Sequence, residues 1–276
     1  MEYIELPAAF CESVPEILVQ EYTARQNTWR SRVMLTHYVF SFPSKGVKHI
    51  IHSTDSTAVQ PGEFLIMRAG NCLMTEHIAP EGLYAAHLLF IHPHLLQGHP
   101  ALLQQKSNQR AIPFSVFPAD AFISSFLQSV SLINGIKNEH LRQQALQLKA
   151  QELLYYLLDI YGDKAASIFV PDSPCHSDNQ LCRIMENPEA LHLNIEELAF
   201  LCNMSVSTFK RHFRRIYGIS PGKWQQRRLL ESALQQLQSK KPSEIYMELG
   251  YESLAAFIYA FRRYYGFTPG SVCKAE

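Results

Sequence analysis

Between Ser205 and Leu230 the sequence contains no acidic residue, although seven lysines and arginines fall there. An ordinary solvated helix face, where both signs of charge are mixed, explains that absence poorly. Other absences narrow the class further. No apolar run is long enough to cross a bilayer, and the opening MEYIELPAAF lacks the basic-then-apolar pattern of an export signal. The six cysteines, at 11, 72, 175, 182, 202 and 273, form no CxxC pair and no zinc-finger spacing. They read as reduced thiols of a cytoplasmic protein. G-x-S-x-G, a phosphate-binding loop and paired carboxylates in context are all missing, so the reading is a non-enzyme without a cofactor.

What is there is a globular chain of 276 residues, 47% hydrophobic, with length for two domains. Its zero net charge is unevenly spread. Residues 1–189 carry 13 Lys and Arg against 18 Asp and Glu, whereas residues 190–276 carry 12 against 7. A cationic segment of this kind suits a polyanion, with nucleic acid the first candidate.

The first hundred residues read as short strands. The runs are VMLTHYVFS (33–41), VKHIIHS (47–53), EFLIMRA (63–69), CLMTEHI (72–78) and LYAAHLLFI (83–91). Turns containing Pro43, Gly46, Pro61-Gly62, Gly70 and Pro80 separate them, which predicts a small sandwich or barrel. Apolar residues then recur every three or four positions over 119–135 and 138–162, predicting two helices, the second ended by Gly162-Asp163. The second is apolar around most of its circumference from Leu153 to Ile160, so its own domain or a second subunit must cover it. Residues 166–180, rich in Pro, Ser and Asp, read as a linker.

Beyond the linker the chain repeats itself. FRRIYGISPG (213–222) returns as FRRYYGFTPG (261–270), and Phe209–Trp224 shares eight of sixteen positions with Phe257–Val272. Such self-similarity marks a duplicated supersecondary unit. Ahead of the first copy, Asn194 and Glu197 have capping-box spacing, and Ile195, Leu198, Ala199 and Cys202 form a buried stripe. Asn203 suits a left-handed turn, and Ser205 caps the next helix. On that helix Val206, Phe209, Phe213 and Ile216 share one side, with Ser207, Arg211 and Arg214 opposite. This is helix-turn-helix grammar, stopped at Gly218. The second copy follows suit: Ser243 caps a first helix, Gly250 turns the chain, Ser253 caps a second helix, and Gly266 ends it. Between the copies Ser220-Pro221 starts a helix to about Gln238, roughly 27 Å long. A spacer of that order sets two recognition helices into successive major-groove segments about 34 Å apart.

Residues 190–272 resemble the DNA-binding domain of the AraC/XylS family of bacterial transcription regulators. IEELA…MSVSTFKRHFRRIYGISPGKW, RRLLESALQQL and ELGYES…FIYAFRRYYGFTPG carry the resemblance. The N-terminal half is similar in outline to that family's sensory domain. The resemblance implies an α+β protein. A cupin-like sensory and dimerisation domain (1–165), a β-barrel followed by dimerisation helices, is joined by the linker to an all-α domain (181–276). That domain would hold a first helix-turn-helix (195–217), a linking helix (221–238) and a second helix-turn-helix (243–265). It further implies a dimeric regulator, an activator in the family's common mode, acting on promoter DNA with RNA polymerase in response to a small-molecule or protein effector.

By the same resemblance Ser207, Thr208, Lys210 and Arg211 read bases, with Arg211 suited to a bidentate guanine contact. Arg214, Arg215 and Lys223 would grip backbone, together with Ser205 at the helix start. Arg227 and Arg228 either join them or pair internally with Glu231. In the second unit the matching positions are Leu254, Ala255, Ile258 and Tyr259, of which only Tyr259 makes a directional contact. Tyr246 replaces a usual small residue. Ser253, Arg262 and Arg263 there hold backbone, and the first unit supplies most discrimination.

His92, His94 and His99 lie close in sequence, as in a cupin metal site. Pro93 interrupts them and no matching Glu follows, so they read as buried or capping residues, with a metal-dependent cupin as the competing class. His49 and His52 read as surface residues. Phe40, Phe42, Phe64, Met67, Met74, Tyr84 and Phe90 either line a pocket or fill the core, and no cluster of buried polar residues is evident.

Overall fold

The structure, a computed structural model, describes residues 3–52, 55–97, 99–103, 111–170 and 177–272. The chain divides into two compact units: Met1–Asn187 with Phe200–Asn203, and Pro188–Ala199 with Met204–Glu276. Cys175 and Cys273 lie outside the described residues, as do positions 171–176 of the expected linker; Cys11, Cys72, Cys182 and Cys202 are free thiols. Among the described residues no helix is long and apolar enough to cross a membrane.

The described residues of the first unit form ten strands: β1 (Ile4–Leu6), β2 (Ile17–Ala24), β3 (Ser31–Leu35), β4 (Tyr38–Lys45), β5 (Val47–Ile51), β6 (Ser56–Val59), β7 (Glu63–Met67), β8 (Gly70–His77), β9 (Tyr84–Ile91) and β10 (Phe114–Pro118). They form two separate five-stranded sheets, ordered β1-β3-β8-β5-β6 and β10-β7-β4-β9-β2. The expected closed barrel is therefore corrected to an open sandwich, with two edge strands in each sheet. The run at 33–41 splits at Thr36-His37, so β3 pairs with β8 in one sheet and β4 with β7 and β9 in the other.

Strand β4 is buried on both faces, which is why its sequence shows no polar alternation. Val39 packs between the sheets with Val33, Leu65, Met67, Met74, Tyr84 and Phe90. Tyr38, Phe40 and Phe42 point the other way and meet Phe64 and the helices. The aromatic and Met candidates for a pocket are thus core side chains in two layers. Gly46 turns β4 into β5 at φ 76°, and a Cβ there would meet His77 O at 2.4 Å and the Tyr84 ring at 2.9 Å. Only glycine fits both the backbone and the space.

Two short helices, α1 (Pro93–Leu96) and α2 (Pro100–Leu103), precede β10, and α3 (Ala121–Ile133) and α4 (Glu139–Phe169) follow it. Asp120 and Asn138 cap α3 and α4 by accepting from the Ile123 and Leu141 amides at 3.0 and 3.1 Å. Leu146, Leu153, Leu154, Leu157 and Leu158 on α4 are buried against the outer face of the second sheet. Gly162 interrupts the helix where the sequence places its stop, at φ 49°, ψ −125°, and a second helical segment follows directly to Phe169, whose ring meets Tyr38 at 5.3 Å.

One end of the sandwich interior is polar, a cluster that the strand pattern concealed. Lys48 Nζ lies 3.1 Å from Glu76 Oε1, and the Tyr22 hydroxyl donates to Glu76 Oε2 at 2.8 Å. Lys48 also stands over the rings of Tyr22 and Tyr84. Burial pulls the lysine pKa down, but Tyr84 and Glu76 more than offset this and leave it raised. Burial, with the Glu76 charge beside it, pushes Tyr22 up to about 12. Register explains the pairing, since Lys48 and Glu76 are direct cross-strand partners on β5 and β8.

The second unit is helical. After α5 (Ser177–Glu186), which belongs to the first unit, a 3-10 turn at Pro188–His192 leads to α6 (Ile195–Leu201), α7 (Val206–Tyr217), α8 (Pro221–Gln236), α9 (Pro242–Ile245) and α10 (Leu254–Tyr265). Leu230 and Ala233 of α8, with Leu237 at its C-cap, form one core with Ile245, Leu249, Phe257 and Phe261.

Candidate nucleic-acid interface

The surface in question is built by capping and turn chemistry. Asn194 accepts from the Glu197 amide at 2.9 Å, and Glu197 accepts from the Asn194 amide at 2.8 Å. This reciprocal box satisfies two orphan donors at the start of α6. Asn203 takes φ 55° in the turn, a conformation that its short polar side chain tolerates. Ser205 then accepts from the Thr208 amide at 3.2 Å and opens α7.

Two fully buried rings, Phe209 and Phe213, anchor α7. At 100° per residue the opposite side must face out. Ser207, Lys210, Arg211, Arg214 and Arg215 are all exposed there, and Thr208 is half-buried. Lys210, Arg211 and Arg214 form no ion pair among the described residues. Arg215 approaches His212 Nδ1 at 3.3 Å. Ser205 gives its hydroxyl proton to Thr208 Oγ1 at 2.9 Å and stands 3.0 Å from the Ser207 hydroxyl. Gly218 ends the helix at φ 73°.

Helix α8 begins at Pro221, with Ser220 at the N-cap but making no side-chain cap bond. Lys223 is exposed near its start. Gln225 was not foreseen. It donates to the carbonyls of Ala190 and Leu193 at 2.9 and 2.7 Å, and so holds the segment that leads into α6. A glutamine in a polar helix carries no sequence signal for that role. Arg227 and Arg228 both grip Glu231, at 2.9 and 3.2 Å. The hydrogen bond from Arg227 lowers the Glu231 pKa, with Arg228 adding to it.

The second copy repeats the scheme with one correction. The cap of α9 is Lys241, not Ser243, because Pro242 occupies N1 and Glu244 accepts from the Lys241 amide at 2.7 Å. Gly250 turns at φ 79°, Ser253 accepts from the Ala256 amide at 3.2 Å, and Gly266 stops α10 at φ 83°. Phe257 and Phe261 are buried; Ala255, Tyr259, Arg262 and Arg263 are exposed. Leu254 and Ile258 are half-buried and line an open groove with Pro242, Pro269 and Lys241.

The histidines lie elsewhere. His92 caps α1, its Nδ1 2.6 Å from that of His94, while His94 Nε2 sits 3.1 Å from Glu16. His99 packs on Tyr155. Among the described residues no three His, Cys, Asp or Glu side chains gather as metal ligands. His49 is exposed. His52 instead sinks its ring Nε2, and burial, with Arg68 nearby, pulls its pKa down to about 4.

Residues 198–275 match the family model described as a helix-turn-helix domain, and residues 38–168 match the one described as the ExsA N-terminal regulatory domain. The virulence regulon transcriptional activator VirF of Yersinia enterocolitica is 27% identical over 169 residues, 60% of this chain and 61% of VirF. The thermoregulatory protein LcrF of Yersinia pestis is 26% identical over 166 residues, 59% of this chain and 60% of LcrF. The chain thus matches about three fifths of the length of these curated relatives. Among solved structures, ToxT of Vibrio cholerae aligns with a TM-score of 0.45 at 12% identity, covering 94% of this chain and 97% of ToxT.

Proposed function

This chain belongs to the AraC/XylS family of transcription regulators, and we propose that it binds promoter DNA in a sequence-dependent way and activates transcription. The observation that carries the proposal is the exposed cationic face of α7, held outward by the burial of Phe209 and Phe213, on which Lys210, Arg211 and Arg214 form no ion pair among the described residues. Arg211 and Lys210, with Ser207 and Thr208, read base edges in a major groove. Arg214, Arg215 and Lys223 hold phosphates, as do Ser205 and, on α10, Ser253, Arg262 and Arg263. Residues 195–217 and 243–265 act as two helix-turn-helix units, the second contributing grip and the Tyr259 contact more than readout.

The N-terminal unit receives the signal and dimerises, and the activator works alongside RNA polymerase. On α4, Leu141, Leu148 and Tyr155 recur every seven residues and are more than half exposed, which supports a helix-to-helix contact with a second copy. The effector is a small molecule or a protein. Side chains fill both layers of the sandwich, which favours a signal received at the surface from a protein partner.

The test is selection of bound sequences from a random duplex library by the full chain. Enrichment of one or two related motifs, abolished by Arg211→Ala, is expected. Binding that enriches nothing would reduce the protein to a non-specific DNA binder.

A further inference from the structure

The run of seven cations without an acid ends at Glu231, and Glu231 holds the last two of them. Its carboxylate accepts from Arg227 Nε at 2.9 Å with one oxygen and from Arg228 Nη1 at 3.2 Å with the other. Both arginines are more than half exposed, and Glu231 is one-third exposed. Arg228 is also placed by the Trp224 ring, 5.7 Å from its guanidinium carbon. Lys210, Arg211, Arg214 and Lys223 of the same run hold no carboxylate among the described residues.

The clasp lies on α8, between the two copies of the repeat. Leu230 of α8, next to Glu231, shares a core with Phe261 of α10, and the exposed Arg262 and Arg263 follow Phe261 directly. Glu231 is thus a carboxylate on a helix that packs against the one bearing Arg262 and Arg263. A carboxylate offers guanidinium the same planar pair of acceptors as a phosphate, so the two compete for one donor. Exposed ion pairs within one helix are weakly held and screened by salt, so this pair can be exchanged rather than being permanent.

We infer that Glu231 is an internal competitor for DNA phosphate: it occupies Arg227 and Arg228 in the free protein and sets the strength of the sequence-independent grip. This rests on the reading that residues 190–276 bind DNA. Base-reading side chains on α7 do not touch the clasp, so its release strengthens binding to every sequence by a similar factor.

The experiment measures the salt dependence of binding by the full chain to a short random-sequence duplex and to a selected target duplex. Wild type, Glu231→Gln, Glu252→Gln and the triple variant Glu231→Gln/Arg227→Ala/Arg228→Ala are compared after circular dichroism confirms that each is folded. Glu252→Gln makes the same change of charge at an exposed glutamate that holds no arginine among the described residues. The expected result is that Glu231→Gln tightens both duplexes several-fold and steepens the slope of log K against log salt by about 1–2. The triple variant returns the slope to the wild-type value or below, and Glu252→Gln leaves it unchanged. Folded Glu231→Gln with the wild-type slope and affinity overturns the proposal, as does an equal effect from Glu252→Gln. A wild-type chain with no salt-dependent DNA binding overturns the functional reading beneath it as well.

Discussion

The rings of Phe213 and Trp224 meet edge to face with centroids 5.9 Å apart, joining α7 to α8 across Gly218 and Pro221. This contact fixes the direction in which the arginines of α7 point. Phe213 is fully buried, whereas its neighbour Arg214 is exposed. Phe213→Ala is expected to cost about 3–5 kcal/mol through the cavity it leaves. Arg214→Ala is expected to stay within about 0.5 kcal/mol of wild type. Chemical denaturation of the two variants checks the contrast.

The turn before α7 depends on a left-handed residue and a hydroxyl cap. Asn203→Val is expected to lose about 1–3 kcal/mol, because a β-branched side chain is strained at φ 55°. Asn203→Gly is expected to be near neutral. Ser205→Ala removes the bond from the Thr208 amide and is expected to lose about 1 kcal/mol. Thermal unfolding followed at 222 nm separates the three.

Inside the sandwich, Lys48→Met would leave Glu76 buried with Tyr22 as its remaining hydrogen-bond donor from the pair's own cluster. A loss of about 3–5 kcal/mol is expected, and the double variant Lys48→Met/Glu76→Leu is expected to recover most of it. A double-mutant cycle in urea measures the coupling. Additive losses would contradict the pairing.

His52 gives the N-terminal unit a pH dependence. Its folded pKa of about 4 lies below the ordinary 6.5 because burial disfavours the charged ring. The unfolded chain takes up a proton near pH 6.5, but the folded chain does so only near 4. The stabilisation is therefore fully present above pH 6.5 and lost as pH falls towards 4. Unfolding free energies measured across that window should fall with pH in the wild type and fall less steeply in His52→Gln.

How much was legible follows from where the physics is local. The caps at Asn194, Ser205 and Ser253, the left-handed Asn203 and the glycine stops are short-range features, and the residues themselves announce them. The two faces of α7 follow from its period. The cap of α9 was misplaced because Pro242 moved the helix start ahead of Ser243. In the first unit the deciding contacts lie far apart in sequence. Strand β2 pairs with β9 at a separation of dozens of residues, and β4 is apolar on both faces, so neither pairing nor closure can be read from alternation. Lys48 and Glu76 carry no local sign of their pairing for the same reason, since only the register brings them together. Gly162 has the chemistry of a helix stop and breaks the helix there; the further helical segment to Phe169, with Ala165, Ala166, Ile168 and Phe169 buried, carries no local signal of its own.

The central claim is that Arg211 on α7 reads sequence while its neighbours grip backbone. Competition gel shifts with a selected target and random duplex test it most directly. In Arg211→Ala the affinity difference between the two should shrink by about 1–3 kcal/mol, whereas Arg214→Ala should weaken both equally. Discrimination by Arg211→Ala equal to that of the wild type would contradict the account.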